Sequence, residues 1–192
     1  MKRRKLVQAL FAAGAWPTQP SAQTAGRIYR VGFLANARQP AQGRHPLIGV
    51  WLAALAELGY IEGRNLQLEL RLADGQTERL PELAAELVRL NVDVIVASTN
   101  LAAFPAKRAT STIPIVVVAS HGAEETGLVA SYGRPGGNVT GIESLATELD
   151  VKRLELLRAT LPKARHIAVL SNPLDAGTAL HQRWSTGAAH SL

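Results

Sequence analysis

The 192-residue sequence contains no cysteine, which excludes disulfide bonds, thiolate metal sites and cysteine nucleophiles. Aromatic residues make up only 5% of the chain, so a core must be built from Leu, Val, Ile and Ala. No apolar run reaches the roughly 20 residues that a bilayer-spanning helix needs. Hydrophobic residues nevertheless account for 47% of the chain and charged residues for 19%, a balance typical of a globular α/β protein.

The common catalytic motifs are also absent. The sequence has no phosphate-binding loop, no dinucleotide fingerprint, no Gly-x-Ser-x-Gly elbow and no His-Glu-x-x-His pair. Its five histidines stand at spacings that form no metal set: His45, His121, His166, His181 and His190. We therefore expect no metal, no other cofactor and no enzymatic activity.

The net charge of +6 is concentrated at one end of the chain. Four of the six charges come from Lys2, Arg3, Arg4 and Lys5. The remaining charge is spread along the sequence, which is typical of a solvated surface rather than of a nucleic-acid footprint. We expect no nucleic-acid partner.

Residues 1–24 have the order of a secretory signal: a basic start, an apolar stretch over residues 6–16, and then small and turn-forming residues. Cleavage would follow Ala22 or Thr24. An amphipathic helix is the alternative interpretation. The signal predicts a periplasmic or secreted protein, with no integral membrane segment in the mature chain.

From residue 27 onward, strand and helix patterns alternate. Apolar or alternating runs predict strands over residues 28–34, 65–72, 92–97, 113–119, 138–142 and 165–170. Helical spacing predicts helices over residues 48–58, 80–90, 100–109, 125–131 and 148–161. This order favours an α/β fold with a mainly parallel sheet flanked by helices. Residues 174–192 show no convincing period.

Small or polar residues follow three of the predicted strands. They are Ala35 and Asn36, then Ser98, Thr99 and Asn100, and finally Ser120 and His121. Ligands of open parallel sheets bind beyond the carboxyl ends of the strands, and a helix N-terminus there favours an anionic group. We interpret the seven residues as a ligand-binding wall, with ordinary helix caps and turns as the alternative.

Six segments, in order, resemble one known family. They are Leu58-Gly-Tyr-Ile-Glu-Gly-Arg-Asn65, Arg79-Leu-Pro-Glu-Leu-Ala-Ala-Glu-Leu-Val88, Val92-Asp-Val-Ile-Val-Ala97, Ala109-Thr-Ser-Thr-Ile-Pro-Ile-Val116, Gly127-Leu-Val-Ala-Ser131 and Arg134-Pro-Gly-Gly-Asn-Val-Thr-Gly141. The ordered set resembles the ABC-transporter substrate-binding proteins with the type I periplasmic-binding fold, whose better known members take up aromatic amino acids.

The resemblance implies two α/β lobes that close on a small molecule. After the signal at residues 1–24, residues 27–143 would be the first ligand-binding lobe, and residues 144–173 would cross the hinge and begin the second. Residues 174–192 would form an unmatched tail, so the second lobe is expected to be largely missing. The implied function is capture of a small polar solute, with an amino acid as one candidate, for the permease subunits of an ABC importer.

Two other interpretations remain open. One is a small Rossmann-like enzyme that uses His121 with Glu124 or Glu125, since a fold alone permits many functions. The other is a partial gene product without activity. This chain has His121-Gly122-Ala123 where the family often has Gly-Asp-Pro, so the resemblance does not identify the ligand.

Overall fold

The computed structural model describes residues 26–144, 149–175 and 177–191. The strands within these residues are β1 (Tyr29–Ala35), β2 (Leu66–Leu72), β3 (Val94–Thr99), β4 (Ile115–Ser120) and β5 (Val139–Glu143). The α-helices there are α1 (Pro46–Glu57), α2 (Leu80–Arg89), α3 (Asn100–Ala109), α4 (Asp150–Thr160) and α5 (Thr178–Ser191). A 3₁₀ turn, Thr77–Arg79, leads into α2.

The five strands form one sheet in the order β2-β1-β3-β4-β5. Every neighbouring pair is parallel, as in the pairings Val31 with Val94 and Ile95 with Ile115. The prediction of a parallel sheet flanked by helices is confirmed. After β2 the chain returns past β1 to form β3, so the direction of winding reverses between β1 and β3.

One face of the sheet is covered by α2, α3 and the loop that follows β4. Its core is aliphatic, as the composition requires: Leu34, Ile95, Ala97, Ile115, Val117 and Val139 from the strands, and Leu80, Leu83, Leu87, Ala102, Ala103 and Ala106 from the helices. Leu83 and Leu87 are four residues apart, so α2 presents both to the sheet. This layer fixes α3 directly behind the end of β3.

The opposite face is covered by α1. Trp51 packs against Phe33 with ring centroids 5.9 Å apart, so it is a core residue on this face. The helix ends at Glu57, and Gly59 follows it with φ +89°, a conformation in which a side chain would be strained. The predicted helix over residues 48–58 is confirmed, with its observed bounds at Pro46–Glu57.

Two sequence-based expectations for the elements are wrong. Residues 165–170 are exposed coil, not a buried strand, and Leu170 is fully exposed. A strand needs a neighbouring strand, and the described residues offer these none. Residues 125–131 form turns rather than a helix. The tail, for which the sequence pattern predicted no element, contains α5.

No helix within the described ranges combines the length and the apolar character that crossing a membrane requires. The predicted signal at residues 1–24 lies outside the described residues.

Asp93 joins the amino ends of β1 and β3. Its Oδ2 accepts a hydrogen bond from Arg30 N at 2.8 Å, and its Oδ1 accepts one from the Arg27 guanidinium at 2.6 Å. The Arg30 N–H lowers the pKa of the Asp93 carboxyl, and Arg27 adds to this effect. The ionised carboxylate therefore stabilises the fold.

We expect Asp93→Ala to lower the free energy of unfolding at pH 7 by about 2 kcal/mol, since hydrogen bonds to a charged group are lost. A lowered folded-state pKa stabilises the protein above the unfolded-state value near 3.9, and this contribution is lost as pH falls through the folded-state pKa. Urea unfolding between pH 2 and pH 7 should show the variant and wild type converging at the acid end. A constant difference across this range would contradict the assignment.

Candidate functional site

The reversal between β1 and β3 opens a crevice at the carboxyl end of the sheet, because the loops leaving these two strands diverge. Asn36 follows β1, Thr99 ends β3 and His121 follows β4. Neighbouring strands lie about 4.8 Å apart, which puts Asn36 and His121 roughly 10 Å from each other across β3. The predicted strand ends therefore share one edge of the sheet.

Asn36 has one paired and one unpaired polar atom. Its Nδ2 donates to Thr77 Oγ1 at 3.1 Å, which ties the end of β1 to the turn before α2. Its Oδ1 is buried and has no hydrogen-bond partner. Ala35, just before it, is buried, and its carbonyl accepts from Ala73 N, so only its backbone makes a polar contact.

Ser98 and Thr99 end β3 and are both half-buried. In the described part of the chain, neither hydroxyl makes a side-chain hydrogen bond. Thr99 occupies the position before α3 with extended backbone, and its side chain does not cap the helix. The first N–H groups of α3 thus lack the side-chain acceptor that commonly satisfies them.

Asn100 is almost completely buried and links α3 to the end of β4. Its Nδ2 donates to His121 O at 2.7 Å, while its Oδ1 accepts from Ser120 Oγ at 2.8 Å and from His121 N at 3.4 Å. Ser120 is also buried. The side chains of Asn100 and Ser120 are therefore engaged with each other, and their evident role is to fix the position of His121.

His121 is half-buried, and its Nδ1 is buried without a hydrogen-bond partner. Its ring lies edge-on to the ring of His181 from α5, with centroids 5.8 Å apart. The structure therefore leaves two buried polar atoms without partners at the edge of the crevice, Asn36 Oδ1 and His121 Nδ1. Such atoms are rare in folded proteins and indicate a position where a bound molecule or water completes the hydrogen bonding.

Glu143, at the end of β5, is a residue of this edge that the sequence analysis missed. Its carboxylate accepts hydrogen bonds from Gly122 N and from Ala123 N, the latter at 3.4 Å. The loop after His121 is thereby held by β5. The sequence does contain a signal for Glu143, because it is an acidic residue immediately after the predicted strand over residues 138–142. Asn36 was selected because it also follows a predicted strand.

The carboxylates of Glu124 and Glu125, which lie near His121 in the chain, accept hydrogen bonds from within the loop after β4. Tyr132 N donates to Glu124 Oε2 at 3.3 Å, and Tyr132 Oη donates to Glu125 Oε2 at 3.1 Å. Partial burial, the bond to Glu125 and the charge of Glu143 raise the pKa of Tyr132 to about 12, so its hydroxyl remains a donor. In the described residues the His121 ring bonds to no carboxylate.

The start of α5 packs against the same loop. Leu180 is buried, and a Cβ added at Gly122 would overlap its Cδ1. Gly177 is also buried, and a Cβ there would lie 3.6 Å from His121 Cβ. The region beyond β5 therefore approaches the crevice edge through small residues that permit close contact.

A cleft lies beside α3, between that helix and residues 173–175. Its α3 side is formed by Leu101, Phe104, Pro105 and Arg108, with Thr77, Pro81 and Thr126 next to them, and its other side by Pro173, Leu174 and Asp175. The residues that line it include none of the predicted site residues, so this cleft is separate from the crevice at the strand ends.

We expect Gly122→Ala to loosen the contact between the crevice edge and α5. Gly122 has φ +61°, which costs about 1 kcal/mol for alanine, and the added methyl group would displace Leu180. Gly127→Ala is the matched control, because Gly127 has φ +74° and open space around its Cβ position. Thermal unfolding should show a larger loss for Gly122→Ala, and Leu180→Ala should reduce the difference. Equal losses at the two glycines would contradict the contact.

A family model for ABC transporter substrate-binding proteins matches residues 45–183, which include the crevice residues at the ends of β3 and β4 and the start of α5, but not Ala35 and Asn36. The chain belongs to the ABC transporter substrate-binding protein family. The resemblance inferred from the six ordered segments is confirmed, and the match extends into the tail that the sequence analysis left unmatched.

The relatives of this substrate-binding protein include characterised and solved proteins. A tyrosine-binding protein from Clostridioides difficile (strain R20291) is 33% identical over 128 residues, covering 67% of this chain and 36% of that protein. The structure of a conserved domain protein from Vibrio cholerae superposes with a TM-score of 0.76 at 28% identity, covering 86% of this chain and 54% of that one. A domain from Streptococcus pneumoniae in complex with L-Trp gives 0.72 at 23% identity, covering 85% and 54%.

The coverage values show how much of the family's architecture this substrate-binding protein contains. The chain spans about half the length of these solved relatives and about a third of the tyrosine-binding protein. Its parallel five-stranded sheet flanked by helices is therefore part of a lobe of a periplasmic-binding fold.

Proposed function

We propose that this substrate-binding protein captures a small polar solute at the carboxyl edge of its sheet and delivers it to an ABC transporter. The proposal rests on one observation: several polar groups around the crevice have no hydrogen-bond partner. Asn36 Oδ1 and His121 Nδ1 are buried without partners, and the hydroxyls of Ser98 and Thr99 make no side-chain hydrogen bond in the described residues. A polar guest would satisfy them.

The chemistry of these groups favours an amino acid. Asn36 Oδ1 is an acceptor that an ammonium group can satisfy. The N-terminus of α3, uncapped by Thr99, is suited to a carboxylate. Relatives described as binding tyrosine and L-Trp support this class of ligand, and the roughly 10 Å between Asn36 and His121 suits a molecule of that size.

The proposed organisation follows the two-lobe pattern. Residues 1–24 would direct export and be removed, residues 27–143 would form the first lobe, and residues 144–173 would lead into the second. We propose that the mature protein acts in the periplasm or outside the cell, with the permease subunits of the transporter as its partners. Its role would be binding, not catalysis.

The amount of the second lobe present should limit affinity. Closure of two lobes buries the ligand from both sides, and binding favours the closed state through contacts that exist only there. In the described chain, the part beyond β5 that reaches the crevice edge is the start of α5, through Gly177 and Leu180. We expect weak or undetectable amino-acid binding by the 192-residue chain, and micromolar or tighter binding in calorimetry would contradict this expectation.

A hybrid that spans the length of a relative tests the function itself. Residues after 183 would be replaced by the corresponding and following residues of the Clostridioides difficile tyrosine-binding protein, and copurifying small molecules would be identified by mass spectrometry. Calorimetry with tyrosine and tryptophan would follow. We expect Asn36→Ala and His121→Ala each to weaken binding at least tenfold, and Gln67→Ala on the exposed edge of β2 to leave it unchanged. A folded hybrid that binds no amino acid, or binds equally well without Asn36 and His121, would exclude the proposed site.

A further inference from the structure

Glu143 places a carboxylate at the β4 end of the crevice. Strand β5 pairs with β4 so that Glu143 lies beside Ser120, the last residue of β4. Its side chain reaches the loop after β4, where the two carboxylate oxygens accept hydrogen bonds from the N–H groups of Gly122 and Ala123. Because these residues directly follow His121, the carboxylate is adjacent to the site residue that has a buried, unpaired nitrogen.

No basic side chain forms an ion pair with this carboxylate in the part of the chain that the structure describes. The same is true of Glu124 and Glu125, which are in the loop after β4. Lys107 approaches this loop from α3, but its ammonium group donates to carbonyl groups farther along it, such as Leu128 O at 2.8 Å. Three carboxyl groups at this end of the crevice therefore have no cationic partner among the described side chains.

The hydroxyl of Tyr132 responds to the negative charge of this region. Partial burial, the hydrogen bond to Glu125 and the charge of Glu143 together raise the pKa of Tyr132 to about 12. A carboxylate that disfavours a neighbouring phenolate favours a neighbouring cation for the same electrostatic reason. The β4 end of the crevice is therefore suited to a positively charged group.

The carboxylate of Glu143 also retains the capacity to bind such a group. An ionised carboxylate has about four lone-pair sites, and the two backbone N–H groups leave the others available. Beside it, His121 Nδ1 is an acceptor whenever the ring proton is on Nε2. An ammonium or guanidinium group offers several N–H donors, so one such group can serve more than one acceptor.

The crevice edge lacks the side chains that would stack on an aromatic solute. None of the seven predicted site residues is Phe, Tyr or Trp. Phe33 and Trp51 pack in the core on the α1 face, and the hydroxyl of Tyr132 donates to Glu125. An aromatic side chain would gain no ring contact from the site residues, whereas a basic side chain would gain a charge-assisted hydrogen bond to Glu143.

We propose that Glu143 makes the crevice selective for an amino acid with a basic side chain. This inference rests on the proposed function, because it names the class of solute that the same site would take. The α-ammonium group would lie at Asn36 and the carboxylate at the N-terminus of α3. The side chain would extend across the end of β4 and place its cation beside His121 and Glu143. The roughly 10 Å between Asn36 and His121 accommodates an extended basic side chain.

The test compares lysine with norleucine, which has the same carbon chain but no side-chain cation. NMR would follow the amide signals of Gly122 and Ala123 in the 192-residue chain at millimolar amino acid, and calorimetry would repeat the comparison in the hybrid. We expect lysine to bind at least tenfold more tightly than norleucine, because a charged group is paired. Glu143→Gln should remove this preference while leaving the affinity for norleucine unchanged.

Glu57→Gln is the matched control. Glu57 is exposed at the end of α1, and because α1 runs back from the end of β1 to the start of β2, it lies at the opposite edge of the sheet. Its replacement removes the same charge from the chain, so the preference for lysine should persist. Equal loss of the preference in both variants would mean that net charge, and not Glu143, sets the selectivity, and would overturn the inference.

Three further results would also overturn it, and they are distinguishable from one another. Norleucine or tyrosine binding to the unmodified chain as tightly as lysine would reject a basic solute but leave the proposed function intact. Equal weakening of lysine and norleucine by Glu143→Gln would show that Glu143 acts only by holding the loop. No binding of any amino acid to the chain or to the folded hybrid would reject the proposed function together with this inference.

Discussion

Gly141→Ala is expected to detach β5 from the sheet and to lower the free energy of unfolding by about 3 kcal/mol. Gly141 pairs with Val117 and has φ +157°. A Cβ at this position would overlap the Val117 carbonyl oxygen and lie 2.8 Å from Val117 N. Both atoms belong to the backbone of β4 and cannot move aside without breaking the ladder between β4 and β5. Chemical denaturation of wild type and variant measures the loss.

Gly137→Ala is the matched control for this prediction. Gly137 lies just before β5, its φ is not in the left-handed region, and its Cβ position is open. We expect its stability to remain within about 0.5 kcal/mol of wild type. Hydrogen exchange should show the amides of β4 and β5 losing protection in Gly141→Ala only. Full protection of β5 in that variant would show that the two strands do not approach as closely as described.

Detachment of β5 would also remove hydrogen bonds that hold the candidate site in place. Glu143 at its end accepts hydrogen bonds from Gly122 and Ala123, and Ser144 N donates to Ser120 O at 2.8 Å. The loop that carries His121 would lose these supports. Since the crevice depends on strand ends held side by side, a change in the sheet is expected to impair binding without touching the ligand.

The sequence predicted the sheet well because each strand carries its own local signal. Residues 92–97 and 113–119 are β-branched runs, and the structure places strands at Val94–Thr99 and Ile115–Ser120. Polar residues follow each run because the chain must leave the buried layer there. The same reasoning located the strand ends that surround the crevice.

Elements that depend on distant partners were not predictable in this way. Residues 165–170 have the pattern of a buried strand, but that pattern cannot supply a neighbouring strand, and the segment is exposed coil. Helix α5 has a mixed composition and is stabilised by contacts such as that of Leu180 with Gly122. Local periodicity carries no information on such contacts.

The same limit applies to the site residues. The sequence placed Asn36, Asn100 and His121 at strand ends without distinguishing their roles. The structure gives the Asn100 side chain three hydrogen bonds and leaves one polar atom of Asn36 and one of His121 unpaired. That distinction arises from side-chain packing across β3 and β4, which no pattern in the sequence encodes.

Asn100→Ala should therefore be a stability variant that also displaces His121. The change removes the acceptor of the buried Ser120 hydroxyl and the donor to His121 O, and it leaves a small cavity. We expect the free energy of unfolding to fall by about 3 kcal/mol, with Ser120→Ala costing about 1 kcal/mol because it removes one bond. Urea denaturation of both variants provides the measurement.

The double variant separates this network from independent effects. If Ser120 acts through Asn100, Ser120→Ala should cost almost nothing in the Asn100→Ala background, because the bond is already absent. Additive losses would mean that the two side chains do not stabilise each other. Asn100→Asp tests whether the side chain donates a hydrogen bond to His121 O. It keeps the acceptor for Ser120 Oγ but places a carboxylate oxygen next to His121 O. It should thus be destabilising even though both the size of the side chain and the Ser120 bond are preserved.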